Sequence, residues 1–440
     1  MTSDRVDAAV VAISMRNREL GRWADLAANV LTFGGGEDAI EQAGLQDFVW
    51  YELPRKFDEE DWVAAVTGMA VLLDELGLHR YAAIARSTTT TAVLDAWSDG
   101  SSQGFARYKA ASESSGVKPP DTDFLEWGAM MGLEEARAYS LVETRLGQAI
   151  VAGRLRPGGP NWKARQRELT DAVLAEPDES NPNVSIRLAI MAERLDLWTR
   201  ASRPERQQVW RRQLLEHFAD PLPDADPEPA IRAMRWLLEA CKAGVPLTQA
   251  GYLPPALVRD ATDRFEWWPW HGRPRSEVDV HELVTLREIA TSLRLVTKRA
   301  RRLTTSKEGA RLRADPLELW RRLAATVGCD SEYHAMLSEL IAHRLLEGPA
   351  HGDELEEAIV PVVASQGWQT NVGPALPEHH RHSIHRPLYH WRLFGMLDEV
   401  RPRWIEQKPT GEAVTSLTEI GRASAMHLLR SLAITPRREI

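Results

Sequence analysis

A chain of 440 residues exceeds one ordinary domain, and two to four domains is the expectation from length alone. An apolar content of 43% and only two cysteines, Cys241 and Cys329, exclude a disordered chain, a disulfide scaffold and a Cys-based metal site. The net charge of −9 opposes nucleic-acid binding by the chain as a whole, but its distribution is uneven.

Residues 1–150 carry 24 acids against 13 bases, whereas residues 151–440 carry 39 acids against 41 bases. Within 294–322 ten bases face three acids, a local density that permits contact with phosphates. No stretch reaches the roughly 18 apolar residues of a membrane span, and the N-terminus lacks a signal-like apolar core, so a cytoplasmic protein is expected.

In chain order, residues 24–31, 60–76 and 81–97 place apolar side chains at spacings of three and four, which predicts helices. Gly34-Gly35-Gly36 reads as a loop, because it lacks the Gly-Lys-Ser/Thr and preceding strand of a phosphate cradle. Asp58-Glu59-Glu60-Asp61 enriches a helix N-terminus in negative charge. Gly100-Ser101-Ser102-Gln103-Gly104 fits G-x-S-x-G by letter, yet its flanks are helical where a nucleophile elbow needs a strand. Further helices follow to residue 217. The run DPLPDADPEP at 220–229, with four prolines, is the clearest linker.

Beyond it, 230–242 is a helix, 245–248 a short apolar piece and 253–265 a second helix with Pro254-Pro255 near its start. Trp267, Trp268 and Trp270 are expected to plug a loop against the core. Residues 279–313 then read as helix, strand, tight basic turn, strand and helix. Asp279 is placed to cap the first helix with Glu282 as reciprocal partner, and Leu283, Leu286, Ala290 and Leu293 form its apolar face. Residues 294–297 and 302–305 are the hairpin strands, with 298–301 at the tip. This is the back half of a winged-helix unit.

The C-terminal third repeats the order. Residues 331–346 and 353–363 are its leading helices, 366–382 a loop, and 386–400 a helix with Pro387 near its start. A strand at 403–406, a turn at 408–411, a strand at 413–417 and a closing helix complete it. Ser306 with Gly309, and Thr418 with Gly421, occupy matching places, each a hydroxyl cap followed by a glycine that allows close packing.

The run LTQAGYLPPALVRDATDRF (247–265), the helix and wing after it, and ADPLELW (314–320) together resemble a segment of uncharacterised actinobacterial proteins. Some of these are associated with plasmid pRiA4b ORF-3-like proteins. The resemblance spans about residues 245–322 and implies a winged-helix-like segment without implying an activity. Relatives place a glycine before the first wing strand, where this chain has Ser292-Leu293-Arg294. No pRiA4b ORF-3 domain proper is present.

The fold class expected is mainly α: an acidic helical domain over 1–160, a helical connector over 161–222, and two winged-helix-like domains with short β-hairpins over 223–325 and 326–440. No HExxH, P-loop or dinucleotide fingerprint is found, so no catalytic residue or cofactor is assigned and the chain is read as non-enzymatic. His379, His380, His382, His385 and His390 crowd one stretch without a Cys or carboxylate pair at ligand spacing, and read as a solvated loop and helix start rather than a metal site. Two functional readings stand. One is a DNA-binding protein, regulatory or associated with mobile elements, using His281, Thr285 and Arg287 on the helix, Lys298, Arg299, Arg301 and Arg302 on the wing, and Arg392 and Lys408 in the second copy. The other is an interaction scaffold whose winged helices mediate assembly with a protein partner or a second copy.

Overall fold

The structure, a computed structural model, describes residues 3–33, 36–122, 125–200, 204–217, 222–268, 272–371, 373–400, 404–405, 408–409 and 413–436. The described residues are mainly helical, with small antiparallel sheets. They gather into two compact units, Met1–Arg194 and Leu195–Thr435.

The first unit is helical and holds two apolar clusters, one from Val6 to Ala111 and one from Leu125 to Ile190. Asn17 starts the helix Arg18–Thr32 by accepting from the Glu19 and Leu20 amides at 3.0 and 3.1 Å. G-x-S-x-G spans the junction of two helices, Thr88–Ser98 and Ser101–Ser115, and Gly104 is there because Trp97 leaves no room for a Cβ. Glu135, in the first turn of Leu133–Val151, is buried against Arg194, whose Nε lies 3.1 Å from Oε2. The stretch 161–222 is divided between two cores: Val173, Leu174 and Ile190 pack with Leu146, whereas Trp210 and Leu214 belong to the core of the second unit.

In the second unit, α1 (Glu205–Glu216) precedes two successive copies of one order of elements. The first copy runs α2 (Glu228–Ala240), β1 (Val245–Pro246), α3 (Pro255–Phe265), α4 (His281–Ser292), β2 (Val296–Arg299) and β3 (Arg302–Thr305). Its sheet order is β1-β3-β2, antiparallel throughout, with Val245 opposite Leu303 and Val296 opposite Thr305. Helices α5 (Lys307–Ala314) and α6 (Pro316–Thr326) follow. The second copy runs α7 (Glu332–Glu347), β4 (Ala350–His351), α8 (Gly352–Ala364), α9 (Pro377–Leu393), β5 (Leu397–Val400) and β6 (Val414–Leu417), with sheet order β4-β6-β5, before α10 (Glu419–Ile434). It also carries two short antiparallel ribbons that the first copy lacks among the described residues: Gln369–Thr370 with Gly373–Pro374, between α8 and α9, and Trp404–Ile405 with Lys408–Pro409, between β5 and β6. One continuous apolar core, from Trp210 to Leu429, serves both copies, and Trp320 Nε1 donates to Ser424 Oγ at 2.9 Å across them.

At the hydroxyl–glycine pairs the two copies make the same hydrogen bonds. Ser306 Oγ accepts from the Gly309 amide at 2.8 Å and Thr418 Oγ1 from Gly421 at 3.0 Å. The Ser306 and Thr418 amides in turn donate to the Leu295 and Met396 carbonyls at 2.9 and 3.1 Å. Those same two carbonyl oxygens lie where a Cβ on Gly309 or Gly421 would fall. Gly309→Ala and Gly421→Ala are therefore each expected to destabilise the fold by at least 1–3 kcal/mol, roughly the cost of overpacking a rigid backbone contact. Gly147→Ala, in a helix interior with open space around it, is the control: it should stabilise by about 0.5–1 kcal/mol. Urea midpoints of the three variants decide the matter.

Four local expectations change. Asp279 does not cap α4; it sits in a 3-10 turn and its carboxylate accepts from the Arg275 and Ser276 amides at 2.8 and 2.9 Å, because α4 begins two residues later. Residues 377–382 are helix rather than loop, which puts Pro387 inside α9. The outgoing hairpin strand of the second copy is β5 at 397–400, since α9 ends at Leu393 and Gly395 turns the chain with φ 64°. In the first copy the strand starts later than alternation suggests, at Val296, because Arg294 holds the place of Gly395 with φ 56°. That left-handed conformation is one glycine adopts at less cost. Gly34-Gly35, Trp270 and the ends of the 403–406 stretch lie outside the described residues.

Candidate nucleic-acid interface

The hairpin of the first copy is set by its turn. Arg299 pairs with Arg302, leaving Ala300 and Arg301 as a two-residue connection, both with positive φ, 43° and 60°. Two left-handed residues in succession are the signature of a type I′ turn, whose twist matches that of the strands it joins. Thr297 and Thr304 hydroxyls meet at 3.1 Å across the hairpin, and the Leu247 amide donates to the Arg301 carbonyl at 2.8 Å, anchoring the tip to the chain beyond β1. Leu303 is buried beneath, so the alternation of the strand turns its basic neighbours outward.

Lys298, Arg299, Arg301 and Arg302 are all exposed. Among the described residues none of the four has a carboxylate partner; Arg302 Nη1 donates instead to the Gly244 carbonyl at 2.8 Å. The bases on the helices that follow are differently placed. Arg311 is bidentate to Glu308 at 2.8 and 2.9 Å, Arg313 pairs with Glu239, and Arg321 lies 3.8 Å from Glu318. Arg294, Lys307 and Arg322 are also exposed without a carboxylate partner among the described residues, so the hairpin holds the largest group of uncompensated bases in 294–322, four within 298–302, and α5 and α6 keep one each.

The helix candidates fare otherwise. Sequence spacing puts His281, Thr285 and Arg287 on an outward face of α4; the structure buries Thr285 to 5% exposure and commits Arg287 to packing. Arg287 Nε stands 2.6 Å from Glu277 Oε1, an ion pair off the hydrogen-bond axis, and its Nη1 donates to the Gly251 carbonyl at 3.0 Å. Glu277 is fully buried and also accepts from the Leu253 amide at 2.8 Å; burial raises its carboxyl pKa against the pull of Leu253 and Arg287. His281 remains exposed, but its ring centroid is 5.1 Å from that of Tyr389 on α9. Burial, and then the Glu282 charge, push the Tyr389 phenol up. Two neighbours cause these changes: Tyr389 on α9 of the second copy sits against His281 and Thr285, whereas Arg287 is taken up by Glu277 and Gly251 within the first copy.

In the second copy, Arg392 is half-buried and paired with Glu399 at 3.1 Å, so its charge is compensated. The side chain of Lys408 lies outside the described residues. The histidines are dispersed around α9: His379 Nδ1 accepts from the Leu376 amide at 3.0 Å, His380 is buried against the Tyr333 hydroxyl at 2.8 Å, and the His382 and His385 rings are 6.4 Å apart. Among the described residues no group of three or more His, Cys, Asp or Glu is placed to hold a metal ion, and no helix is long and apolar enough to cross a membrane. Burial pushes the Cys241 thiol up to about 11 and Cys329 up to about 12.

Two arrangements of polar residues escape sequence reasoning. The docking of α1 rests on Arg211 and Gln207, buried polar residues that a hydrophobic-period reading assigns to the surface. The first unit gathers Glu41, Asp47 and Glu143 from distant positions, and burial followed by the two neighbouring carboxylates raises Glu143 to about 8. Comparison of the chain with protein-family models, with curated proteins and with solved structures returned no match.

Proposed function

We propose that the chain is a non-enzymatic DNA-binding protein with tandem winged-helix units, regulatory or associated with mobile elements, that grips duplex phosphates through the wing of its first unit. The order helix, strand, helix, helix, strand, strand, with the first strand hydrogen-bonded to the last, supports the reading: it is the order expected of a winged helix, and the main elements of both copies run in it. The observation that carries the reading is the hairpin itself: four exposed cations without a carboxylate partner among the described residues. Contacts of this kind position a protein on the duplex and carry no base information. Because Thr285 and Arg287 are engaged in packing, reading of base edges by α4 is not part of the proposal.

Duplex binding should weaken steeply with salt, each neutralised phosphate adding about −0.9 to the slope of log K against log salt. Arg299→Ala with Arg301→Ala should then reduce the slope by roughly 1.8 on any duplex sequence. Fluorescence anisotropy over a salt series measures this, and an unchanged slope and affinity in the double variant removes the wing from the interaction.

One observation favours the second reading, an assembly scaffold: Tyr389 on α9 lies against His281 on α4, so the second copy already covers part of the first. That reading predicts no duplex binding even at low salt. It also predicts a defined oligomer, or a partner that co-elutes, in size exclusion with light scattering.

A further inference from the structure

Helices α1, α7 and α10 enclose a cleft of about 430 Å³ in the second unit, a volume within the range of small-molecule sites. Its walls are largely apolar, with Trp210 and Leu214 from α1, Leu346 from α7, and Met426 and Leu429 from α10. Trp210 is fixed from two sides: its Nε1 donates to Glu347 Oε1 at 2.6 Å, and its ring stacks on His343 with centroids 5.6 Å apart and planes 8° from parallel. His343 also lines the cleft, is only 5% exposed, and its Nε2 meets no hydrogen-bond partner among the described residues. A buried imidazole nitrogen left unmatched costs free energy that a bound polar group would recover.

The charge around the cleft is lopsided. Arg422 and Arg430 line it from α10, against one carboxylate among the described residues, Glu347, which already holds the Trp210 N–H. A guanidinium carries five donors, and Arg422 gives one to the Leu346 carbonyl at a long 3.4 Å. Arg430 donates to the His217 carbonyl at 2.7 Å, which holds it beside the cleft. Burial lowers the His343 pKa to about 4, so at neutral pH the imidazole is uncharged and offers one donor and one acceptor.

The geometry points to a binding site for a small amphipathic organic acid in this cleft, its aromatic or aliphatic body against Trp210, Leu214, Leu346 and Met426 and its carboxylate at Arg422. The imidazole of His343 supplies the polar contact deeper in. This site is independent of the wing and of any duplex, so it stands or falls separately from DNA binding.

Isothermal titration of the full chain with benzoate, 2-naphthoate, indole-3-acetate and octanoate tests it, with 2-naphthylmethanol as the uncharged control. At least one acid should saturate at one molecule per chain, and should raise the thermal midpoint by several degrees at a hundredfold excess over Kd. Gln213→Trp, which fills the mouth from an exposed position, should abolish binding with an unchanged circular dichroism spectrum. Arg422→Gln should weaken the acid about tenfold, the equivalent of one charge-assisted hydrogen bond, and leave the alcohol unaffected. Saturation by none of the four acids overturns the site, as does binding to Gln213→Trp at the wild-type affinity. An alcohol that binds as tightly as the acid, or an Arg422→Gln chain that binds the acid normally, overturns the ligand class.

Discussion

Replacing Arg211 with alanine should lower the unfolding free energy of the second unit by about 3–5 kcal/mol, the usual cost of stranding one partner of a buried ion pair. Arg211 and Glu339 are 3% and 5% exposed at their side chains, and the pair is bidentate: Nε to Oε1 at 2.7 Å and Nη2 to Oε2 at 2.8 Å. Gln207 adds a third bond to Oε1 at 2.9 Å, Nη1 donates to the Trp198 carbonyl at 2.7 Å, and the guanidinium lies 4.1 Å over the Trp198 ring. Burial alone would raise the Glu339 pKa; the bonds and charge of Arg211, with lesser help from His343 and Gln207, outweigh it and hold the carboxyl below its ordinary value. A depressed carboxylate contributes stability above its unfolded value of 4.5 that is lost as pH falls through the folded one.

Alanine leaves Glu339 charged, buried and short of two bonds. The double variant Arg211→Met with Glu339→Leu removes both charges and fills the space, and should recover most of the loss. Urea denaturation followed by circular dichroism measures both. A single variant that costs under about 1 kcal/mol would mean that α1 is not docked on α7 in solution.

Acidification should weaken the second unit between pH 6.5 and 4, the interval spanned by its shifted histidines. Burial, resisted by Glu339, lowers His343 to about 4. Burial, followed by the positive charge of Arg386 and resisted by Asp330, lowers His390 to about 4. His380 and His427 are lowered as well, burial again being the first cause. The sign follows from the folded state preferring the neutral ring. The unfolded chain takes up protons first, so the stability is fully present above 6.5 and is lost on the way down to 4. Each of the two 5–7% exposed imidazoles, shifted from 6.5 to about 4, corresponds to roughly 3 kcal/mol at the acid end.

Glu143 in the first unit runs the other way. With its pKa raised to about 8 it contributes stability below 4.5 that is lost as pH rises. His343→Phe keeps an aromatic ring against Trp210 and isolates the share of His343: its stability difference from wild type should change sharply between pH 7 and 4.5. A difference that stays flat across that interval would show that His343 is not held neutral by burial.

Helical periodicity, the basic hairpin, and the two hydroxyl–glycine pairs at Ser306/Gly309 and Thr418/Gly421 were legible along the chain, because each is a local pattern whose chemistry acts within a few residues. Even the tip of the hairpin falls within 298–301 as expected, since basic composition and alternation are written into the strands themselves. Which polar residues would be buried was settled only by the assembled fold. Thr285, Arg287, Arg211 and Glu339 have nothing in their neighbourhoods to distinguish them from surface residues. Arg287 is answered by Glu277, and Arg211 by Trp198 and Glu339. Periodicity reports the faces of each helix separately; what covers a polar face is supplied by a distant element, 128 residues away in the case of Arg211 and Glu339, and that distance is where local reading ends.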